Sequence, residues 1–289
     1  MRYFSLFTGI GGLDYGLNGE LVGWSEIKKG SIKVFGKKVK AENYGDIKKM
    51  NYRELPDFDM LLGGFPCQSF SLVGTRKGFE DKKGQMIFDI YNLLKEKKPD
   101  YFVLENVKGI LSHDNGKTYL NVHKLLKYAG YCVRVLLLNS CWFGSAQSRE
   151  RVFFIGSRNY FDEKEVVKVD NSKRFRDIRD NDESNYKFIK LTDRVWNKIN
   201  QKRKFNFELV GGYDRVGTLT TQYGCGEKLV QEGDEWRILT VKECERLQGF
   251  PESWTEGVSD NQRYWMLGNA VNCNVSDYLF NDYLKGLWY

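Results

Sequence analysis

The chain predicts an α/β fold, with an open and mainly parallel sheet in its first half and a smaller, mainly β or irregular region after it. Three observations carry that prediction. Short apolar runs alternate with segments of helical spacing up to residue 157, the first run passes directly into a glycine turn, and residues 158–255 abandon the alternation. A length of 289 residues is ample for one large domain that carries a smaller one.

Taken in order, Tyr3-Phe4-Ser5-Leu6-Phe7 is a strand, Thr8-Gly9-Ile10-Gly11-Gly12 is a turn, and the spacing that follows predicts a helix. Strand, glycine turn and helix is the order of a nucleotide-binding βαβ unit, although a lone G-x-G-G is also an ordinary tight turn. Residues 21–25 form a second strand that stops at Glu26, where an acid meets a ribose hydroxyl pair. Asp46 follows Gly45 in another loop, and for both acids a helix cap or a solvated turn is the structural alternative. Asp59-Met60-Leu61-Leu62 is a buried strand, and Gly63-Gly64-Phe65-Pro66-Cys67-Gln68-Ser69 is the loop at its end. A free cysteine is ordinarily a small buried hydrophobe. Here Pro66 fixes the backbone, the glycines admit a ligand, and Gln68 and Ser69 supply hydrogen-bonding groups, so Cys67 is displayed as a nucleophile.

Residues 86–94 have the spacing of a covering helix, closed by Lys98 and Pro99. Tyr101-Phe102-Val103-Leu104 is the next buried strand, with Glu105-Asn106-Val107 at its end. A carboxylate there is costly unless paired or neutralised, which makes Glu105 a candidate acid–base group with a raised pKa. Residues 117–129 form an amphipathic helix before Gly130. Strands at 133–139 and 152–156 flank Gln147-Ser148-Arg149-Glu150-Arg151, whose two arginines at i and i+2 point to one face suited to a planar or anionic ligand. Thr240 and Glu243 have capping-box spacing, so a helix starts there and stops at Gly249.

The six cysteines form no C-x-x-C pair, and only His113 and His123 accompany them, which argues against a zinc site. The first strand begins almost at Met1 and no apolar run reaches membrane-span length, so a cytoplasmic protein with reduced thiols and no membrane contact is expected. The formal net charge of +7 is concentrated in residues 173–204, which hold eleven Lys and Arg against five Asp and Glu, interleaved with aromatics. Such a run is either a solvated face or a phosphate-contacting surface.

Six motifs stand in order along nearly the whole chain. They are Phe7-Thr8-Gly9-Ile10-Gly11-Gly12, Gly64-Phe65-Pro66-Cys67-Gln68-Ser69, Glu105-Asn106-Val107 and Gln147-Ser148-Arg149-Glu150-Arg151. The run from Arg237-Ile238-Leu239-Thr240 through Glu243, Arg246, Gln248, Gly249, Phe250 and Pro251 follows, and Gly268-Asn269-Ala270-Val271 ends the series. In this set and order the chain resembles the DNA cytosine-5 methyltransferases of prokaryotic or phage type. The resemblance implies a Rossmann-like S-adenosylmethionine-dependent methyltransferase fold in residues 1–157, completed by 256–289, with a target-recognition domain and hinge at 158–255. It also implies methyl transfer to carbon-5 of a flipped cytosine in a specific duplex DNA sequence, through a covalent Cys67 adduct.

By that resemblance, Cys67 attacks carbon-6, Glu105 meets ring nitrogen N3, Arg151 holds O2, and Arg149 supports the carboxylate and the base. For the cofactor, Phe7 lies against the adenine or methionine moiety, with the Gly9, Gly11 and Gly12 backbone near the methionine end. Glu26 binds the ribose, Asp46 contacts the adenine amino group with Ile47 packing nearby, Gly64 and Pro66 bring the cofactor beside Cys67, and Asn269 closes the other side. No metal is implied. DNA is expected to meet Gln68 and Ser69 beside the thiol, Thr218 and Thr220 in the recognition region, and Arg174, Arg176, Lys202 and Arg203 through phosphates.

Four positions depart from the family pattern. Ser5 stands where an acid is common, which removes one polar support near the methionine end. Ala146 replaces the proline before Gln147, Lys83 replaces an arginine, and Asn272 stands where proline is frequent. A monomer acting on duplex DNA is expected, with a cognate restriction endonuclease as a partner in the host. Two alternatives stay open: a tRNA cytosine-5 methyltransferase would use the same Cys67 and Glu105, and a non-catalytic DNA-binding relative would need neither.

Overall fold

The computed structural model describes residues 1–65, 86–162, 164–169, 173–189, 208–221 and 228–286. Six strands, β1 (Arg2–Leu6), β2 (Glu20–Ser25), β3 (Met60–Gly64), β4 (Tyr101–Val107), β5 (Cys132–Asn139) and β6 (Glu150–Ser157), form one sheet in the order β2-β1-β3-β4-β6-β5. The first four run parallel, and β6 runs antiparallel to both β4 and β5. The parallel strands are apolar almost throughout because both faces are covered, as buried parallel strands require. The helices among the described residues are α1 (Lys29–Phe35), α2 (Met86–Lys97), α3 (Lys117–Tyr128), α4 (Val241–Gln248), α5 (Asp260–Asn269) and α6 (Cys273–Tyr278). Ile90 and Leu94 of α2 and Leu126 of α3 pack with Leu61, Phe102 and Phe154 on one face of the sheet. Val275 of α6 and Leu279 after it pack with Met60, Leu62, Val103 and Phe153 on the other, so the carboxyl-terminal residues close the sheet begun at the amino terminus.

The helix expected directly after the first glycine turn does not form. Residues 7–16 are a series of turns. Phe7, Gly9 and Gly11 have φ of 51°, 60° and 82°, the left-handed region that a right-handed helix cannot contain. The turn is clamped instead by the returning chain: the Ser276 hydroxyl accepts from the Gly16 amide (3.0 Å) and donates to the Leu13 carbonyl. The first helix is therefore α1, beyond β2.

A second sheet of β7 (Phe188–Ile189), β8 (Glu208–Val210), β9 (Lys228–Glu232) and β10 (Glu235–Ile238) has the order β7-β10-β9-β8. It lies within the stretch expected to be β or irregular. The capping box forms as its spacing predicts, with Thr240 Oγ1 accepting from the Glu243 amide (3.1 Å) and the Glu243 carboxylate accepting from the Thr240 amide (2.8 Å). Glu243 is fully buried and also takes two bonds from Arg237, at 2.8 and 2.9 Å, which makes it a structural residue. A shared apolar cluster joins Val216, Leu219, Leu247 and Leu267 to Ile10 and Ala146 of the first half.

Candidate active site

A cavity of about 610 Å³ opens where β1, β3 and β4 end, the edge at which ligands of parallel α/β sheets gather. Phe7, Gly9 and Gly12 line it after β1, Glu26 after β2, Gly64 and Phe65 at the end of β3, and Glu105 and Asn106 on β4. Arg149, Arg151 and Asn269 complete the set of expected residues that the fold brings together there.

The antiparallel register of β4 and β6 decides the central pair. Glu105 lies opposite Phe153 and Val107 opposite Arg151, so Glu105 and Arg151 share a face as diagonal neighbours. Arg151 Nε stands 3.0 Å from Glu105 Oε1, with both side chains largely buried. Burial pushes the Glu105 carboxyl above its ordinary pKa, while the charges of Arg151 and Arg149 pull it back. A carboxyl held toward its protonated form by burial suits a group that hands over a proton. Gly64 pairs with Glu105 across β3 and β4, and a Cβ there would lie 3.2 Å from Glu105 Oε2, so glycine keeps that space open. Asn106 Nδ2 donates to the Phe65 carbonyl (2.8 Å), pinning the backbone where the P-C-Q segment departs. Pro66, Cys67, Gln68 and Ser69 themselves lie outside the described residues, as do Lys83, Lys202 and Arg203.

Around the glycine turn, Glu26 Oε2 accepts from the Gly9 amide (3.0 Å) and Oε1 accepts from the Ile27 and Lys28 amides (2.7 and 2.8 Å). The carboxylate is thereby fixed at the cavity wall, with lone pairs left for hydroxyl donors. Gly12 is required by close approach, because a Cβ there would strike the Val271 backbone. Gly11 does not line the cavity; its Cβ would meet the Phe35 ring, so it serves the packing of α1. Asp46 and Ile47 are also not brought to the cavity. Asp46 caps a short helical turn by accepting from the Lys48 amide (3.1 Å), and Ile47 is buried in the core. The glycine cradle, the anchored Glu26 and a buried Asp14 carboxylate in the same wall fit a cationic, ribose-bearing ligand such as S-adenosylmethionine.

Arg149 has a bracing role besides the expected support of the carboxylate. Its guanidinium donates to the carbonyls of Leu219, Gly268 and Ala270, each at 2.9 Å, and its charge bears on Glu105. Gln147 Oε1 accepts from the Leu219 amide (3.0 Å), and the Thr218 hydroxyl donates to the Ser148 carbonyl (3.0 Å). The Thr218-Leu219-Thr220 segment is thus tied to the arginine loop, with the Thr218 hydroxyl engaged inside the protein and the Thr220 backbone against Gly268. Asn272, in place of the frequent proline, accepts from the Asn274 amide (3.0 Å) to cap α6 and donates to the Leu247 carbonyl (2.8 Å), neither of which proline can do. Of the recognition arginines, Arg176 is exposed and lies over the Tyr213 ring at 4.8 Å, and Arg174 is half-buried. Sequence reasoning missed Asp14 and the bracing role of Gln147; the available signal for Asp14 was an acid directly after the glycine turn in a chain lacking one at Ser5.

The family model for C-5 cytosine-specific DNA methylases matches residues 1–285. The Type II methyltransferase M1.ScrFI of Lactococcus lactis subsp. cremoris is 34% identical over 292 residues, spanning 93% of this chain and 74% of that protein. The orphan methyltransferase M.Rho11sI of Bacillus phage rho11s is 46% identical over 166 residues, which is 55% of this chain and 33% of its own. Among solved structures, the S. pombe Dnmt2 methyltransferase superposes with a TM-score of 0.81 at 24% identity over 100% of both chains, a likeness of fold.

Proposed function

Because the chain belongs to the C-5 cytosine-specific DNA methylase family, it methylates carbon-5 of cytosine in DNA from S-adenosylmethionine, and we propose here how its residues divide that work. One juxtaposition supports the proposal: the buried Glu105, clamped by Arg151, stands beside Gly64 at the end of β3, from which the Cys67 loop departs.

Carbon-5 of cytosine is a poor nucleophile. The Cys67 thiolate forms a bond to carbon-6 of a base flipped out of the duplex, and the displaced electron pair moves into the ring toward N3 and O2. Glu105 delivers its proton to N3, and Arg151 donates to O2 while holding the carboxyl in register. S-adenosylmethionine, when bound, supplies the electrophilic methyl group, with Phe7, Gly9, Gly12, Glu26, Gly64, Pro66 and Asn269 around it. As the carbon-5 proton leaves to water, the carbon-5 to carbon-6 double bond re-forms, Cys67 departs with the electron pair of its bond, and N3 returns its proton to Glu105. Arg149 is a positioning residue that joins the recognition segment to the carboxyl end of α5.

Residues 158–255 read the duplex, with Arg174, Arg176, Lys202 and Arg203 on phosphates, and Gln68, Ser69 and Thr220 close to the target base. None of the described helices is long and apolar enough to cross a membrane. We propose separately that the enzyme works as a monomer in the cytoplasm. Site-specific cytosine methylation is the modification that protects DNA from a cognate restriction endonuclease, which we propose as the partner in its host.

Duplex DNA with 5-fluorocytosine at the target tests the scheme, since fluorine cannot leave as the proton does. The full chain should give a denaturant-stable complex, and Cys67→Ala should give none; trapping by that variant would overturn the nucleophile. Bisulfite sequencing of plasmid from an expressing host reports the recognised sequence. Gel shifts that favour tRNA over duplex DNA would overturn the duplex as substrate.

A further inference from the structure

We propose that Asp14 supplies the counter-charge for the ammonium group at the methionine end of the cofactor, the support that Ser5 leaves vacant. The inference rests on S-adenosylmethionine occupying the cavity at the glycine turn. Three acidic residues belong to the wall of that cavity, Asp14, Glu26 and Glu105. Glu26 is matched by three backbone amides and Glu105 by Arg151. Asp14 is 7% exposed and has no ion-pair partner among the described residues; the Ser5 hydroxyl is the polar side chain that bears on its carboxyl. Ser5 lies in the same wall, where its hydroxyl and carbonyl accept from the Thr8 hydroxyl at 3.1 Å each, which leaves the Ser5 proton for Asp14 but supplies no charge at the methionine end.

A buried carboxylate in that position either keeps its proton or meets an arriving cation. Burial pushes the Asp14 carboxyl up to about 7, with the Ser5 hydroxyl opposing the rise. Tyr3, on β1 with Ser5, is the titratable neighbour that feels it; burial and the Asp14 charge push its phenol upward, so it stays neutral. The carboxyl is therefore poised to lose its proton when an ammonium group docks against it. The geometry also explains how the chain manages without an acid at position 5: the charge has moved across the turn, from the end of β1 to the residue two beyond Gly12.

Calorimetry with two probes separates this role from general damage to the pocket. S-adenosylhomocysteine carries the amino-acid ammonium, and 5′-methylthioadenosine lacks it. Asp14→Asn should weaken S-adenosylhomocysteine by about 30-fold or more, the range for removing one partner of a buried charge pair, and leave 5′-methylthioadenosine unchanged. The double variant Ser5→Asp with Asp14→Asn should restore most of the lost affinity. For the unmutated protein, titrations at pH 7 in buffers of different ionisation heat should show proton release on binding S-adenosylhomocysteine and none on binding 5′-methylthioadenosine. Equal losses for both probes, no loss for either, or no proton release would overturn the assignment. Failure of the unmutated protein to bind S-adenosylhomocysteine at all would instead overturn the cofactor site itself.

Discussion

The two sheets handle charge in opposite ways. At the edge of the six-stranded sheet, polar side chains converge on a cavity, and one of them, Asp14, is buried there without an ion-pair partner among the described residues. Around the four-stranded sheet, charges are matched to one another: Arg237 with Glu243 and Glu232, Arg179 with Glu232, Lys228 with Glu208, and Lys187 with Asp260. Two of the basic residues that make the 173–204 segment look like a DNA surface, Arg179 and Lys187, are therefore tied to acids of the protein itself. Chemistry is marked by where a charge lies on the sheet, and a count of charges along the sequence does not report how many are offered to a partner.

The sharpest way to break this contrast is at Glu105. Glu105→Gln should lower single-turnover methylation by roughly 10²–10⁴-fold, the range for a lost general acid, and change S-adenosylhomocysteine affinity only a few-fold. Because burial raises the carboxyl pKa and the reaction uses the protonated form, the wild-type rate should fall as pH rises through that pKa, and the variant should lose this limb. Equal losses in affinity and in rate would make Glu105 a structural residue like Glu243.

The second sheet should respond in stability. Arg237→Met strands the fully buried Glu243 carboxylate, so denaturant unfolding should show a loss of about 3–5 kcal/mol. Arg237→Met combined with Glu243→Leu should recover much of it, since removing both partners of a buried pair is often tolerated. A loss under about 1 kcal/mol for the single variant would place this pair with ordinary surface salt bridges.

At Asp14 the effect should depend on pH and approach its full size only where the carboxyl is forced to ionise. The folded-state pKa of about 7 exceeds the ordinary 3.8, so between those values the folded protein keeps a proton that the unfolded chain releases. Stability without cofactor should therefore fall as pH rises from about 4 to 7, by up to about 4 kcal/mol at 1.36 kcal/mol per unit. Asp14→Asn should flatten that decline in urea titrations at pH 5 and pH 8. Parallel declines in the two proteins would mean the carboxyl ionises as it does in water.

Much of this arrangement is legible in the sequence, for physical reasons. β1, β3 and β4 announce themselves as apolar runs because both faces of a parallel strand are buried; Glu105 is found because it follows such a run, and Arg151 because two arginines at i and i+2 lead into β6. The capping box at Thr240 and Glu243 is local and reads directly. What escapes is set by tertiary partners. Arg149 looks like a ligand-facing arginine, but its three carbonyl acceptors are 70 to 121 residues away. The helix expected after Gly12 is replaced by turns that the returning chain clamps, with the Ser276 hydroxyl bonded to the Gly16 amide and the Leu13 carbonyl some 260 residues away. Asp46 and Ile47 occupy the expected order in the chain, yet one caps a turn and the other fills the core.

The smallest effect belongs to the basic residues that precede the second sheet. Arg174 and Arg176 lie beside the short turn before β7, and Arg176 is the exposed one. Its Nε is 3.6 Å from Asp177, an exposed pair that water screens and that a phosphate can displace. Each phosphate neutralised contributes about 0.9 to the negative slope of log affinity against log salt. Replacing both arginines by Gln should flatten that slope by roughly one to two units, with the sequence of methylated sites unchanged, because phosphate contacts position the duplex while base contacts specify it. Arg179→Gln should leave the slope as it is and lower stability instead, since its guanidinium is held by Glu232 at 2.5 Å. If Arg179→Gln flattens the slope as much as the Arg174 and Arg176 pair does, the matched charges of the second sheet are open to DNA after all, and the contrast between the two sheets fails.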